Sequence, residues 1–574
     1  MSLRCVLSSS LALMALAALG SSSPSPLLNH GLSRRAVCSG NTATTRDQWC
    51  DFSLTTDYYT TVPETGVTRE YFLELTDVTV SPDGVSRTAM AINGTIPGPT
   101  IFADWGDTVV VHLTNSLTTS VNGSSIHFHG IRQNFTNQND GVASITQCPT
   151  AVGETTTYTW RATQYGSTWY HSHFALQAWQ GVFGGIIING PASGNYDQDL
   201  GMLFLNDWSH QTVDELFEEA ETSGPPTLDN GLINGTNVFG SDGSDTQTGS
   251  RFNVSFVSGT SYRIRLVNGA VDTHFKFSID NHTLTVIGTD LVPITPYTTN
   301  IVNIGMGQRY DIVVTADQSA VATDFWMRAI PQVACSDNDS TDNIRGIVHY
   351  ADSTSTPTTT GFSYTDSCAD EATASLVPAL TKTVDDETSE ILDVVTVGRT
   401  NNVFRWFLNS TTMVVDWANP TLLQLSNEVT TFDTSNAVIE LPNADEWVYV
   451  VIETTLPIPH PIHLHGFDFF VLAQGTGTFS ASTTSLNTAN PPRRDTAMLP
   501  ASGFVVLAFE TDNPGAWLMH CHIGWHTSEG FALQFIVRRD EILDLVDTTV
   551  LQDTCSAWSS HVTTESIVQE DSGV

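Results

Sequence analysis

The chain has 574 residues and a formal net charge of −39, from 61 acidic against 22 basic side chains. That balance excludes nucleic acid and anionic membrane surfaces as partners, because a phosphate lattice would repel it. At about 150 residues per domain the length calls for three to four domains, and a charged fraction of 14% with many Thr, Ser and Gly and alternating Val-rich runs predicts β structure with few long helices.

At the start of the chain, Arg4 stands ahead of an apolar run at residues 11–19 that is too short to span a bilayer, the pattern of a secretory signal. A Ser/Pro stretch then ends at the dibasic pair Arg34 and Arg35, so residues 1–35 are expected to be signal peptide and propeptide, with the mature start at Ala36. No later segment has enough continuous apolar residues to cross a membrane, and the polar residues 565–574 are not a lipid-anchor signal. A secreted, extracellular protein is expected. Sequons at Asn93, Asn122, Asn134, Asn234, Asn253, Asn281, Asn338 and Asn409 suit N-glycosylation. Of the cysteines, Cys5 leaves with the signal and Cys521 sits between two histidines. The remaining Cys38, Cys50, Cys148, Cys335, Cys368 and Cys555 are even in number, which in an oxidising compartment predicts disulfides whose pairing spacing does not fix.

A turn followed by alternating β-formers and a final Asn runs W-G-D-T-V-V-V-H-L-T-N over residues 105–115 and S-G-T-S-Y-R-I-R-L-V-N over 258–268. A weaker copy, A-D-E-W-V-Y-V-V-I-E, covers 444–453. Copies at this spacing predict three related β-sandwich domains. The strand pattern breaks at residues 190–197 and in the Ser/Thr/Pro-rich run 351–360, and the acidic stretch 214–226, partly helical in pattern, reads as a surface excursion.

With 17 histidines in the chain, an H-x-H pair would arise by chance about half a time. Four occur: His127/His129 in I-H-F-H-G, His171/His173 in W-Y-H-S-H, His463/His465 in H-P-I-H-L-H-G and His520/His522 in H-C-H-I-G-W-H. On an extended strand residues i and i+2 face one side, so each pair presents two imidazoles to one cavity. Eight neutral nitrogen ligands are what three copper ions need if positions stay open for oxygen. Cys521 points away from that cluster, and with His460 and His526 it completes the Cys-His-His set of a blue-copper electron-transfer site. Zinc would leave the eight other imidazoles unexplained. Flanked covalently by two cluster ligands, Cys521 gives an electron a short path from its sulfur to the cluster.

These segments resemble the multicopper oxidases, specifically fungal laccases, in their order and spacing. So do D-G-V-A-S-I-T-Q-C-P at 140–149, Q-Y-G-S-T-W-Y-H-S-H at 164–173 and N-P-P-R-R-D at 490–495, and the similarity covers effectively the whole mature chain. The resemblance implies an all-β fold of three cupredoxin-like Greek-key β-sandwich or barrel domains, at residues 36–194, 195–366 and 367–574. The first would hold part of a trinuclear copper site, the second a wall of the substrate pocket, and the third the type 1 copper, the rest of the trinuclear site and a C-terminal plug formed by the ending D-S-G-V. It implies four copper ions: type 1 on His460, Cys521 and His526; type 2 on His127 and His463; and two type 3 ions, on His129, His171 and His522 and on His173, His465 and His520. Phe531 falls at the axial position, where a side chain unable to ligate leaves Cu(II) less stabilised and raises the reduction potential. Disulfides Cys38–Cys50, Cys148–Cys555 and Cys335–Cys368 are implied as well.

The implied activity is one-electron oxidation of phenolic and aromatic small molecules coupled to four-electron reduction of dioxygen to water, by a monomer. Asp272 matches an acidic residue at the substrate pocket, where a carboxylate can take the phenol's proton. Asp140 matches an acidic residue near the trinuclear site, whose chemistry consumes protons. Phe404, Trp406, Leu456, Ile458 and Trp525 match or lie near pocket positions and would line an apolar cleft beside His526 or His460. The alternative, a ferroxidase-like metal oxidase or another multicopper oxidase, would need several carboxylates converging beside the type 1 copper to bind a metal cation.

Overall fold

The three sequence copies become three strands with the same neighbours. Thr108–Asn115, Ser261–Asn268 and Trp447–Thr454 each pair in parallel with an earlier long strand, Thr68–Val80, Gln198–Trp208 and Ser389–Thr400. On the other side each pairs antiparallel, with Thr155–Arg161, Arg309–Thr315 and Gly503–Glu510. A parallel neighbour cannot be reached by a hairpin, so the chain must leave the sheet before returning. In the first group it does so through Gly98–Asp104, which lies in the opposite sheet. Two sheets result in each group, of four and four, six and five, and six and five strands. The structure, a computed structural model, describes residues 38–350 and 352–574, so the expected signal, propeptide and mature start lie outside the described residues.

Period-two alternation buries Val109, Val111, Leu113 and Asn115 of the first repeat strand. The first group closes on its own core around Trp105 and Trp160, whereas the second and third share one continuous core that runs from Leu205 and Ile264 to Leu464 and Phe509. A further apolar cluster joins Val142 and Phe174 of the first group to Leu518 and Ile536 of the third.

That cluster also holds the one long helix among the described residues, Thr548–Glu565, in a stretch whose Thr, Ser and Val content predicts none. The Asp547 side chain starts it by accepting from the backbone N–H groups of Thr549 and Val550, and the fully buried Trp558 fixes its inner face. Cys555 ties it to Cys148 across 407 residues, a loop closure that in the chain-entropy account is worth on the order of 5 kcal/mol. The pairs Cys38–Cys50 and Cys335–Cys368 also form. The acidic excursion contains a helix, Val213–Ser223, begun by a Thr212/Glu215 capping box, and it packs on the third group against Val403–Leu408 and Gly524–Ser528.

Of the eight sequons, Asn338 is corrected by the structure. It is 4% exposed, its amide donates to Asn230 O at 2.8 Å and accepts from Ser340 N at 2.9 Å, so the folded chain leaves no room for a glycan there. No helix among the described residues is long and apolar enough to cross a membrane.

Candidate metal centres and substrate site

Two ladders of the same design carry the histidine pairs. In the first group His127 lies across from His171 on antiparallel strands, with Phe128 facing Tyr170. In the third, His463 lies across from His520, and Ile462 faces Cys521. Glycines let the chain pass close behind them. Gly130, at φ +75°, has Asp495 and Arg309 where a Cβ would stand, and Gly141, at φ +77°, lies against the carbonyl of Ile126.

The four pairs meet between the first and third groups. Ring centroids of His129 and His463 are 3.9 Å apart, and those of His127 and His465 are 4.0 Å apart. Nitrogens of His173, His465 and His520 lie within 4.8 Å of one another. His129 Nδ1 is 3.4 Å from His171 Nε2, and the His522 ring sits 5.0 Å and 5.5 Å from those two rings.

Which ring nitrogen faces the centre is set by what the other one bonds. His127 Nδ1 is 2.8 Å from Asp140 O, His463 Nδ1 is 2.7 Å from Asp495 O, and His171 and His520 reach Ser172 O and Cys521 O through Nδ1 at 2.9 Å. A Nδ1–H donated to a carbonyl leaves the Nε2 lone pair directed inward. The same two aspartates also cross the interface by their side chains. Asp140 Oδ2 is 2.9 Å from His465 Nδ1, and Asp495 Oδ1 is 3.2 Å from His129 Nε2, which turns Nδ1 of His129 to the centre. Arg309, from the second group, holds both oxygens of Asp495. Asp495 closes the N-P-P-R-R-D segment, but nothing local to it or to Arg309 signals these parts.

Burial lowers the pKa of His129, His171, His173, His463, His465, His522 and His526 well below the usual imidazole range, and brings His520 to about 4 and His460 to about 3. These rings are neutral and offer lone pairs. Nε2 of His127 and His463 and both nitrogens of His522 are buried with no protein partner, a cost that ligation removes. So many unprotonated, convergent imidazoles fit copper.

The second centre lies within the third group. Cys521 Sγ is 3.8 Å from His460 Nδ1 and 3.6 Å from His526 Nδ1, and all three residues are buried. Burial pushes the Cys521 thiol up, so the protein supplies no cation that would ionise it and a soft metal is the fitting partner. Phe531, 1% exposed, places its ring 5.1 Å from that of His460. The Trp406 ring lies 4.1 Å from His526 and donates through Nε1 to Glu529 at 2.7 Å, a carboxyl that sequence reasoning did not single out and that burial pushes up to about 7.

The expected pocket residues divide. Phe404, Leu456 and Ile458 are half-buried. Trp406 and Trp525 are 5% and 0% exposed, so they back the centre and do not wall an open cleft; helix Val213–Ser223 packs over their elements. Asp272, 3% exposed, lies against the Trp525 indole, and burial followed by the nearby Asp207 pushes its carboxyl up to about 8. Asp207, also overlooked in the sequence, accepts from the backbone N–H groups of Val271, Asp272 and Thr273 at 2.9, 3.0 and 3.0 Å and so holds the loop that presents Asp272.

The chain's end folds inward. Ser572 N donates to Ser528 O at 3.0 Å and its hydroxyl to Thr527 O at 2.8 Å. Val574, 2% exposed, lines one small cavity with His171, His173, His520 and His522.

Known proteins are similar to this chain over most of its length. Multicopper oxidase families match residues 74–193, 199–353 and 394–541. Laccase-2 of Botryotinia fuckeliana is 47% identical over 98% of this chain and 99% of its own length, and a laccase of Cryphonectria parasitica is 40% identical over 96% of each. Among solved structures, the laccase from Botrytis aclada superposes with a TM-score of 0.89 at 47% identity, covering 93% of this chain and 99% of that one. Fet3p, a multicopper oxidase that functions in iron import, gives a TM-score of 0.75 at 25% identity over 88% and 97%. The chain belongs to the multicopper oxidase family, among its fungal laccases.

Proposed function

We propose that the chain is a secreted, monomeric laccase that removes one electron from each of four phenolic molecules and reduces one dioxygen to two waters. The domains are assigned to residues 36–194, 195–366 and 367–574. The observation that carries the reading is one chain with eight convergent imidazoles and, covalently between two of them, a cysteine that has its own pair of histidines. His460, Cys521 and His526 would hold a type 1 copper, His127 and His463 a type 2 ion, and His129, His171, His522 and His173, His465, His520 the two type 3 ions. Copper supplies the one-electron redox steps when bound.

The protein's own groups handle position and protons. Nδ1 bonds of His127, His463, His171 and His520 to backbone carbonyls fix those rings before any ion binds. Asp272, held by Asp207, takes the proton that a phenol sheds with its electron, and its raised pKa makes the ionised form a strong acceptor. Asp140 and Asp495 stand where protons must arrive for water to form. A metal-oxidase site would need several carboxylates converging on this centre; Glu529 is taken up by the Trp406 indole, which leaves Asp272 and favours phenols over that alternative.

Absorption and EPR spectra of the copper-replete protein, with oxygen uptake on 2,6-dimethoxyphenol, test this. An intense blue band, type 1 and type 2 signals and one dioxygen consumed per four phenols are expected. Uptake on ferrous iron alone would refute the laccase reading, and absence of the blue band would refute the site assignment.

A further inference from the structure

A cleft of about 370 Å³ opens on the third group, away from both centres, with Asp393, Thr431, Phe432, Thr434, Asn409 and Leu533 in its lining. Its size is in the range of ligand sites. Asp393 is 1% exposed, and its Oδ2 is buried without a hydrogen-bond partner. The two other carboxylates of the cleft are already engaged: Asp433 Oδ1 accepts from Ser435 N at 3.0 Å, and Glu440 pairs with Arg539. A buried acceptor left alone costs about 1–3 kcal/mol, so Asp393 calls for a donor from outside the polypeptide.

Asn409 stands at the rim, exposed, in a tight turn where Thr411 N donates to Leu408 O at 3.0 Å. It begins the sequon Asn409-Ser410-Thr411. Its side-chain amide has no hydrogen bond among the described residues, whereas that of Asn93 donates to Phe72 O at 3.0 Å and accepts from Glu74 N at 2.7 Å. We propose that this cleft seats the N-linked glycan of Asn409, with the Asp393 carboxyl accepting hydrogen bonds from hydroxyl or acetamido N–H groups of its first sugars. The proposal rests on the secreted reading, since sequons are glycosylated only on that route. A sugar tethered at the rim is held at high effective concentration; it brings donors that the cleft itself does not aim at Asp393, and Phe432 adds apolar lining for its C–H groups.

The test combines glycopeptide mass spectrometry of the secreted holoenzyme with thermal unfolding of Asp393→Ala, Asp393→Asn, Asn409→Gln and the Asp393→Ala/Asn409→Gln double variant. Sugar at Asn409 is expected. Asp393→Ala should lower Tm by about 2–4 °C in the glycosylated protein and by far less in the Asn409→Gln background, with Asp393→Asn intermediate and phenol oxidation unchanged throughout. Trimming to the first sugar with an endoglycosidase should preserve most of the difference. A bare Asn409 beside occupied sequons elsewhere overturns the proposal, as does an equal Tm loss in both backgrounds. Sugar at no sequon overturns the secreted reading along with it.

Discussion

The eight-histidine centre and the cysteine centre are built differently. The first lies between two domains and is surrounded by charge: Asp140 and Asp495 each bond a histidine from both sides of the interface, and Arg309 reaches in from the second domain. The second lies inside one domain; the rings nearest its histidines are Trp406 and Phe531, and its two nearby carboxyls stand one residue further out, Glu529 on the Trp406 indole and Asp272 against Trp525, neither bonding a histidine. The difference follows from what each must move. Forming water consumes protons, so carboxyls belong there. Passing an electron needs little reorganisation, which an apolar, closely packed shell provides.

The sharpest way to break this comparison is to neutralise the carboxyl at one centre and look for an effect at the other. Asp140→Asn keeps an acceptor oxygen for His465 but removes the charge and the proton-carrying group. Turnover with 2,6-dimethoxyphenol should fall by about 10²-fold or more, while the blue band and the rate at which phenol bleaches it without oxygen stay unchanged. A matched loss in anaerobic bleaching would show that the two centres are not separable in this way.

A smaller effect is expected at the substrate side. Because the Asp272 carboxyl is pushed up to about 8, it is protonated at acid pH and becomes a proton acceptor only as the pH rises through that value. For a phenol, kcat/KM should therefore climb with pH up to about 8. Asp272→Asn should abolish the climb and cost roughly 10–100-fold, with ferrocyanide, which has no proton to lose, little affected. Asp207→Asn, which weakens the acceptor for three backbone N–H groups, should cost part of the same amount. A phenol profile that keeps its rising limb in Asp272→Asn rules the carboxyl out as acceptor.

What the sequence disclosed and what it hid divide along sequence distance. The ligands stand out because strand alternation packs each pair into three residues, and Cys521 brings the two centres together within one pair. The three repeat strands were legible for the same local reason. Their partners were not: Asp495 meets His129 across 366 residues and Arg309 meets Asp495 across 186. Asp207 acts on a loop more than 60 residues later. Trp406 and Trp525 lie on elements against which a helix from another domain packs, and the helix Thr548–Glu565 is held by packing of Trp558 and a disulfide against intrinsic propensity.

The mildest perturbation sharpens the apolar side of the comparison. Phe531 packs against His460 and Trp406, with ring centroids 5.1 and 5.3 Å away, and cannot donate to a metal. Phe531→Met keeps an apolar side chain of similar reach, so its stability cost should stay below about 1.5 kcal/mol, but it brings a thioether that can approach the position facing Cys521. A sulfur donor favours the oxidised ion, so redox titration of the blue band should give a lower potential. Phenols that are hard to oxidise should then turn over a few-fold more slowly, while the pH limb assigned to Asp272 keeps its position. An unchanged potential would mean that the Phe531 side chain only fills space, and that the burial of His460, Cys521 and His526 sets the potential without it.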